Sequence, residues 1–432
     1  LAWTHSESST VRVGSETGRL RRVIVTPPGP ALGRMLPAHI EPSSSSYLLF
    51  DDLVHVPGAA REHDALCRVL ESAAEVGMFH KMLAKVLEDP TARQFTIEET
   101  ARLTGLDDKN AQALEQLDGL TLARSLIVGT LGGKVDDPDL FPPVPNLLFT
   151  RDLAAVVGDL VIVGNASKPA RRRETVLTWA VIDHHPWFEG ARIAKHCRWV
   201  RDSGGSYPLT IEGGDVMVAS NETVLIGASE RTTWSRIVQL SQELLAQGFE
   251  RVLVVEMPKQ RSSMHLDTVF TFTEPSRAVC YAPLLEQGNP EEATVIAIRA
   301  SGAELVFEDL PGSLIDALAT VGHTLDVTLC GGGHPIHGRR EQWTDGANYV
   351  ALAPGIAIGY GRNVHTANAM KEAGYTVIDP KGYLALLDRE ADGDIQRLVD
   401  DQRKIAIHIE GSELSRGRGG PRCLTFPVQR DA

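Results

Sequence analysis

The residue most able to do covalent chemistry in this 432-residue chain is Cys423, which closes the stretch "ELSRGRGGPRC". A thiolate is a nucleophile, and cationic neighbours such as Arg416, Arg418 and Arg422 favour it over the thiol. Gly417, Gly419 and Gly420 let a backbone approach a ligand closely or take unusual dihedrals. Taken alone, a cysteine is more often a small buried apolar side chain. "MHLD" supplies His265 and Asp267, which share a face if the segment is a strand and then point into one pocket. A cysteine and a distant histidine make a nucleophile with an acid/base partner. "TRD" adds Asp152, "EGGD" adds Glu212 with two glycines that mark a tight corner, and "TDGANY" adds Asp345. Each acid alone reads as a solvated turn residue. Together they exceed what a simple cysteine hydrolase or peptidase needs, and they suit a planar guanidinium, which paired carboxylates grip bidentately.

Other chemistries find less support. His184-His185 and "HPIH" (His334, His337) are the close histidine pairs, and neither His-Glu-x-x-His nor Cys-x-x-Cys occurs, so no metal site is expected. The glycine-rich tail lacks the Lys-Ser/Thr and following helix of a phosphate loop. The formal net charge of −13 argues against nucleic acid as a partner and favours a small cation. Five widely spaced cysteines argue against a disulfide framework and for a reducing, cytoplasmic setting. "LAWTHSESSTVRVGSE" lacks the charged and apolar regions of a signal peptide, and no apolar run reaches membrane-spanning length, so no membrane association is expected.

These residues must be carried by something that brings distant corners together. At about 150 residues per domain the length allows about three domains, or one large domain with an insertion. "RRVIVTPPG" reads as a strand ended by Pro27 and Pro28, "SSSS" as a loop, and Glu62 to Val76 as a helix from Leu66, Val69, Leu70, Ala73 and Val76. From His80 to Ile127 the pattern is helical throughout, with "TIEE" as a helix start and "TGLDDKN" as a breaker. "GGKVDDPDLFPPVPN" reads as a linker. Beyond it, a strand–strand–helix–strand order recurs about every 50 residues, as in "NLLFTRDLAAVVGDLVIVGN" with "RRRETVLTWAVI", and again from "LTIEGGDVMVASNETVLIGAS". An N-terminal partial unit is left for "CLTFPV" to complete. The unusual polar residues fall at the corner before each hairpin, and a radial array would make those corners converge.

The motifs "PNLLFTRD", "RRRET", "EGGDVMV", "SERT", "MHLDTVFT", "REQWTDGANY" and "ELSRGRGGPRC" jointly resemble the arginine deiminase family, in order and spacing, from "SETGRLRRVIV" to Cys423. The resemblance implies an α/β fold: a five-bladed, pseudo-symmetric propeller of ββαβ modules with a small helical insertion. Residues 1–79 would be a first module completed by the C-terminal strand, 80–130 the insertion, and 131–432 the remaining modules with a catalytic C-terminal loop. It implies hydrolysis of L-arginine to L-citrulline and ammonia without metal or organic cofactor, in a homo-oligomer, dimer or tetramer. By the same resemblance Cys423 is the nucleophile and His265 the acid and base. Asp152 and Asp267 hold the guanidinium nitrogens, and Glu212 holds the guanidinium and orients His265. Arg171 and Arg231 clamp the substrate carboxylate, Asn146 and Phe149 line the amino-acid end, and Gly417 and Arg418 belong to a mobile lid. Leu153 and "CLTFP" depart from the family pattern at non-catalytic positions. The alternatives are a methylarginine hydrolase or an amidinotransferase on the same scaffold, and an arginine-binding protein without catalysis; Arg171 and Arg231 argue against agmatine, which has no carboxylate to clamp.

Overall fold

Each hairpin read from the sequence recurs in the computed structural model, which describes residues 11–195 and 209–431, and each is built into a sheet in the same way. Two antiparallel strands pair, and the second takes a parallel partner on the far side of a helix, because parallel neighbours need a crossover. Ala154–Val157 pairs with Leu160–Val163, which is parallel to Arg192–Ile193 after helix Arg172–His184. Val216–Val218, Thr223–Ala228 and Arg251–Glu256 repeat the scheme around helix Trp234–Ala246. Phe270–Glu274, Arg277–Cys280 and Asp326–Leu329 repeat it with helix Leu314–Thr320. Val350–Ala353 pairs with Ile356–Tyr360, and Ile405–Ile409 lies parallel between that strand and Thr376–Ile378. The two chain ends make the remaining sheet: Phe426–Arg430 runs antiparallel to Leu20–Val25, itself parallel to Glu75–Met78. The C-terminal strand thus completes the N-terminal unit, and Cys423 sits just before it.

Strands Ala154–Val157, Leu160–Val163, Val216–Val218 and Val350–Ala353 are buried on both faces, so they read as unbroken apolar runs rather than alternating ones. Helices Phe79–Val86, Pro90–Thr104, Asp108–Glu115 and Gly119–Val128 pack into the same hydrophobic core as the sheets around Ala154–Val157 and Thr223–Ala228. Asp89, Asp107 and Asp118 cap three of them by accepting backbone N–H bonds. Gly105 and Gly129 end two of them in the left-handed conformation.

Two readings are corrected, and one hairpin was missed. The helix assigned to Glu62–Val76 spans Val56–Glu71, and Val76 lies in strand Glu75–Met78; the apolar spacing runs through the intervening turn. "TIEE" is interior to helix Pro90–Thr104, where the Thr96 hydroxyl donates to the Ala92 carbonyl and caps nothing. The hairpin Thr294–Ser301 with Glu304–Leu310 was not read, because its outer strand is largely exposed and mixes three acids with its apolar residues; it extends the sheet at Arg251–Glu256. The N-terminal residues 1–10, on which the signal-peptide reading partly rests, and Cys197 lie outside the described residues. Among the described residues, no helix is long and apolar enough to cross a membrane.

Candidate active site

The polar corners before three hairpins are single turns of 3-10 helix: Thr150–Leu153, Gly213–Asp215 and Leu266–Thr268. Close packing of these corners explains the glycines of "EGGD". A Cβ on Gly214 would lie 2.8 Å from the His265 ring and 3.1 Å from Asp152 Oδ1, and one on Gly213 would strike the Arg151 carbonyl. One ring nitrogen of His265 and one carboxylate oxygen each of Asp152 and Glu212 therefore gather within 4.8 Å of one another, all three residues buried. His265 and Asp267 do not share a strand face as expected. His265 has extended backbone and Asp267 lies in the turn after it, so they approach the site by different routes. His265 meets Glu212 Oε2 at 2.9 Å through Nε2 and Asp152 Oδ1 at 3.6 Å through Nδ1. Asp267 Oδ2 instead lies 3.7 Å from Cys423 Sγ.

Asn146, Phe149, Asp152, Arg171, Arg231, His265, Gly417, Arg418 and Cys423 line one cavity of about 20 Å³, with Leu49, Arg261 and Met264 completing it. Glu212 stands behind His265 and lines a smaller neighbouring cavity with Glu174. The volume suits a water molecule, so a larger ligand enters only if the lining moves. Phe149 packs on Phe50 with ring centroids 5.7 Å apart, and Asn146 Nδ2 donates to the Leu48 carbonyl at 2.7 Å.

The arginines before Cys423 diverge. Arg416 pairs with Asp52 at the surface, and Arg418 lays its guanidinium 3.7 Å over the Trp343 ring. Arg422 is buried against Asp267 at 2.9 Å and Glu16 at 3.0 Å. The expected lowering of the thiol pKa is therefore overturned. Burial, then Asp267, Asp345 and Asp152, push Cys423 well above the ordinary thiol value. The tail glycines serve close approach rather than dihedral freedom. A Cβ on Gly417 would lie 2.9 Å from Phe149 and Phe50, and the left-handed residue of the loop is Arg418, with φ 63°.

Burial would lower the pKa of His265, but Asp152, the Glu212 hydrogen bond and Asp215 outweigh it and raise the imidazole to about 9. Burial likewise pushes Glu212 up, but Arg231, His265 and Arg171 prevail and hold it well below the carboxylate range. Arg171 donates to Asp152 at 2.6 Å, Glu174 at 2.9 Å and Glu212 at 3.3 Å, so its guanidinium already sits among the carboxylates. Arg231 reaches Glu212 at 3.5 Å, and its Nε is buried without a partner. Sequence reasoning passed over Asp215, although it ends the quoted "EGGD". Asp215 accepts from Ser229 and Thr232 at 2.6 Å and from the Leu266 N–H at 2.9 Å, which fixes the corner carrying His265. Glu174, pushed up to about 7 by burial, and Asn348 were missed too, inside the quoted "RRRET" and "TDGANY".

A buried thiol, a histidine held by carboxylates and a cavity walled by Asp152 and four arginines define an enzyme of the α/β class. The sequence matches the arginine deiminase family profile over residues 46–139 and 130–430. It is 31% identical to the arginine deiminase of Listeria monocytogenes serotype 4b, over 98% of both chains. It is 32% identical to that of Bacillus cereus, over 97% of this chain and 98% of the relative. Among solved structures, an amidinotransferase of saxitoxin biosynthesis from Microseira wollei shares the fold, with a TM-score of 0.54 at 14% identity over 98% of both chains. The chain belongs to the arginine deiminase family and is an enzyme of it.

Proposed function

We propose that the protein hydrolyses L-arginine to L-citrulline and ammonia through a covalent intermediate on Cys423. The observation that carries this reading is the shared cavity: Cys423 and His265 open onto it beside Asp152, with Glu212 bonded to His265 behind and Asp267 beside the sulfur. In the first half-reaction the Cys423 thiolate bonds to the guanidinium carbon, a C–N bond breaks, and His265 gives its proton to the departing ammonia. The raised pKa of His265 suits that acid role. In the second, His265 takes a proton from water, the oxygen bonds to the thiouronium carbon, its remaining proton leaves to solvent, and the C–S bond breaks to return the thiolate and release citrulline. Asp152, Asp267 and Glu212 hold the guanidinium nitrogens, and Arg231, with its free Nε, takes the substrate carboxylate. Arg171 completes that clamp after leaving Asp152. Asn146 and Phe149 line the amino-acid end, and Gly417 and Arg418 belong to the segment that must move to admit substrate.

The sheets form a five-bladed ring in this reading, with residues 80–130 as an insertion between 1–79 and 131–432. Its support is the adjacency of the leading strands. Phe426–Arg430 lies against Ala154–Val157, which neighbours Val216–Val218; Phe270–Glu274 lies against Val350–Ala353, which neighbours Leu20–Val25.

The test is product release from L-arginine, with agmatine and methylated arginine alongside, in wild type and Cys423→Ala. Equal citrulline and ammonia from arginine, lost in a variant that still binds arginine, is the expected result. Preference for another guanidine, or turnover by Cys423→Ala, would refute the reading.

A further inference from the structure

The Cys423 sulfur is surrounded by groups that oppose its ionisation: Asp267, Asp345 and Asp152 bear negative charge toward it, and burial adds to them. A nucleophile in such a place needs a donor aimed at the sulfur. Asn348, fully buried, supplies one, with Nδ2 3.2 Å from Cys423 Sγ. The orientation of its amide is not free. Oδ1 accepts from the backbone N–H of Arg422 at 2.9 Å and of Cys423 at 3.2 Å, two donors that only an oxygen can satisfy. Nδ2 therefore faces the other way, where one N–H meets the Asp267 carbonyl at 2.8 Å and the other meets the sulfur. All four hydrogen-bonding positions of the amide are used. The chain also makes room for it: a Cβ on Gly420 would lie 2.5 Å from Asn348 Oδ1 and 2.6 Å from its Cβ.

We propose that Asn348 is a catalytic residue whose side-chain N–H stabilises the Cys423 thiolate and aims it into the cavity. A hydrogen bond to a charged acceptor is stronger than one to a neutral thiol, so the bond favours the thiolate. The other charged or titratable groups near the sulfur are Asp267, Asp345, Asp152, His265, Arg418 and Tyr360, and the carboxylates act in the opposite sense. Asn348 rests on the reading of Cys423 as nucleophile, and the experiment separates the two.

The probe is iodoacetamide, with alkylation of the Cys423 peptide followed by mass spectrometry across pH. This reads the thiolate without arginine turnover. Asn348→Asp keeps the shape and the acceptors for both backbone N–H groups, but loses the donor and places a negative charge at the sulfur. The alkylation midpoint moves up by at least one pH unit, and kcat at neutral pH falls at least tenfold, with KM for arginine within about twofold. Asn348→Ala, which removes the donor without adding charge, shifts the midpoint the same way and carries the test if the aspartate variant does not fold. A midpoint within 0.3 unit of wild type in a folded variant overturns the proposal, even where turnover falls, since that marks a purely structural amide. Wild-type rates of citrulline release in Cys423→Ala would instead bring down the nucleophile assignment beneath it.

Discussion

Glu212→Gln isolates what the carboxylate behind His265 contributes. Glu212 Oε2 is 2.9 Å from His265 Nε2, and the amide keeps the shape and an acceptor while removing the charge. Hydrogen bonds to charged groups contribute about 1.5–3 kcal/mol and neutral ones about 0.5–1.5 kcal/mol, so the imidazolium loses about 1–2 kcal/mol of stabilisation. At about 1.4 kcal/mol per pH unit, His265 falls by about one unit from its value of about 9. Asp152, at 3.6 Å, and Asp215 remain and limit the fall.

The assay is citrulline formation at saturating arginine from pH 5 to 10. Loss of the protonated acid sets the alkaline limb, so that limb moves down by about one unit in the variant, and activity at pH 9 falls more than at pH 6. Stability follows the same sign. The folded pKa of His265 is raised above its unfolded value of about 6.5. Its stabilisation is complete below that value and is lost as pH rises through about 9. The stability gap between wild type and Glu212→Gln therefore narrows as pH climbs past 8. An alkaline limb that stays in place, or moves up, would show that Glu212 does not hold the proton on His265.

Two more predictions concern the walls of the site. Arg231→Ala raises KM for arginine at least tenfold and narrows the gap between arginine and agmatine, because the free Nε is removed; an unchanged KM in steady-state kinetics contradicts the clamp. Asp345→Asn stabilises the protein at pH 8 and not at pH 4. Neither carboxylate oxygen of Asp345 has a partner, and burial pushes the group up to about 7. A raised carboxyl pKa means the folded state holds the proton longer, so stability falls as pH rises from about 4 to about 7. Removing the charge recovers on the order of 2 kcal/mol, and asparagine accepts the left-handed φ of 61° at this position. A melting temperature unchanged at pH 8 would refute it.

The sequence was most legible where it carried regular signals. All hairpins but Thr294–Ser301 with Glu304–Leu310, their order and the closing of the first sheet by the last strand followed from apolar runs and punctuation. The corners were legible as well, because a polar residue recurs just before each hairpin, and Asp152, Glu212 and His265 do meet. What the chain could not show was direction. Three arginines beside Cys423 suggested a thiol bathed in positive charge, yet one-dimensional adjacency says little about where long side chains end. Arg416 leaves for Asp52, Arg418 for Trp343 and Arg422 for Glu16 and Asp267. Asn348 was invisible for the opposite reason: its sulfur partner lies 75 residues away, and nothing in "TDGANY" marks one amide as special.

The elevated thiol pKa is consistent with the proposed chemistry once the substrate's charge is counted. Asp267 and Asp152, which with Asp345 hold the sulfur protonated, are among the groups proposed to grip a guanidinium. A cation seated between them and the sulfur offsets their field at close range, where Coulomb terms in a buried site are strongest. Ionisation of the thiol is then coupled to occupancy: without a cationic ligand the carboxylates keep Cys423 protonated and poorly reactive, and with one they are neutralised while Asn348 still donates to the sulfur. Arg171 already shows that a guanidinium fits between Asp152 and Glu212, at 2.6 Å and 3.3 Å. A neutral isostere of arginine would bring the shape without the charge, so it would fill the cavity and leave the sulfur a thiol.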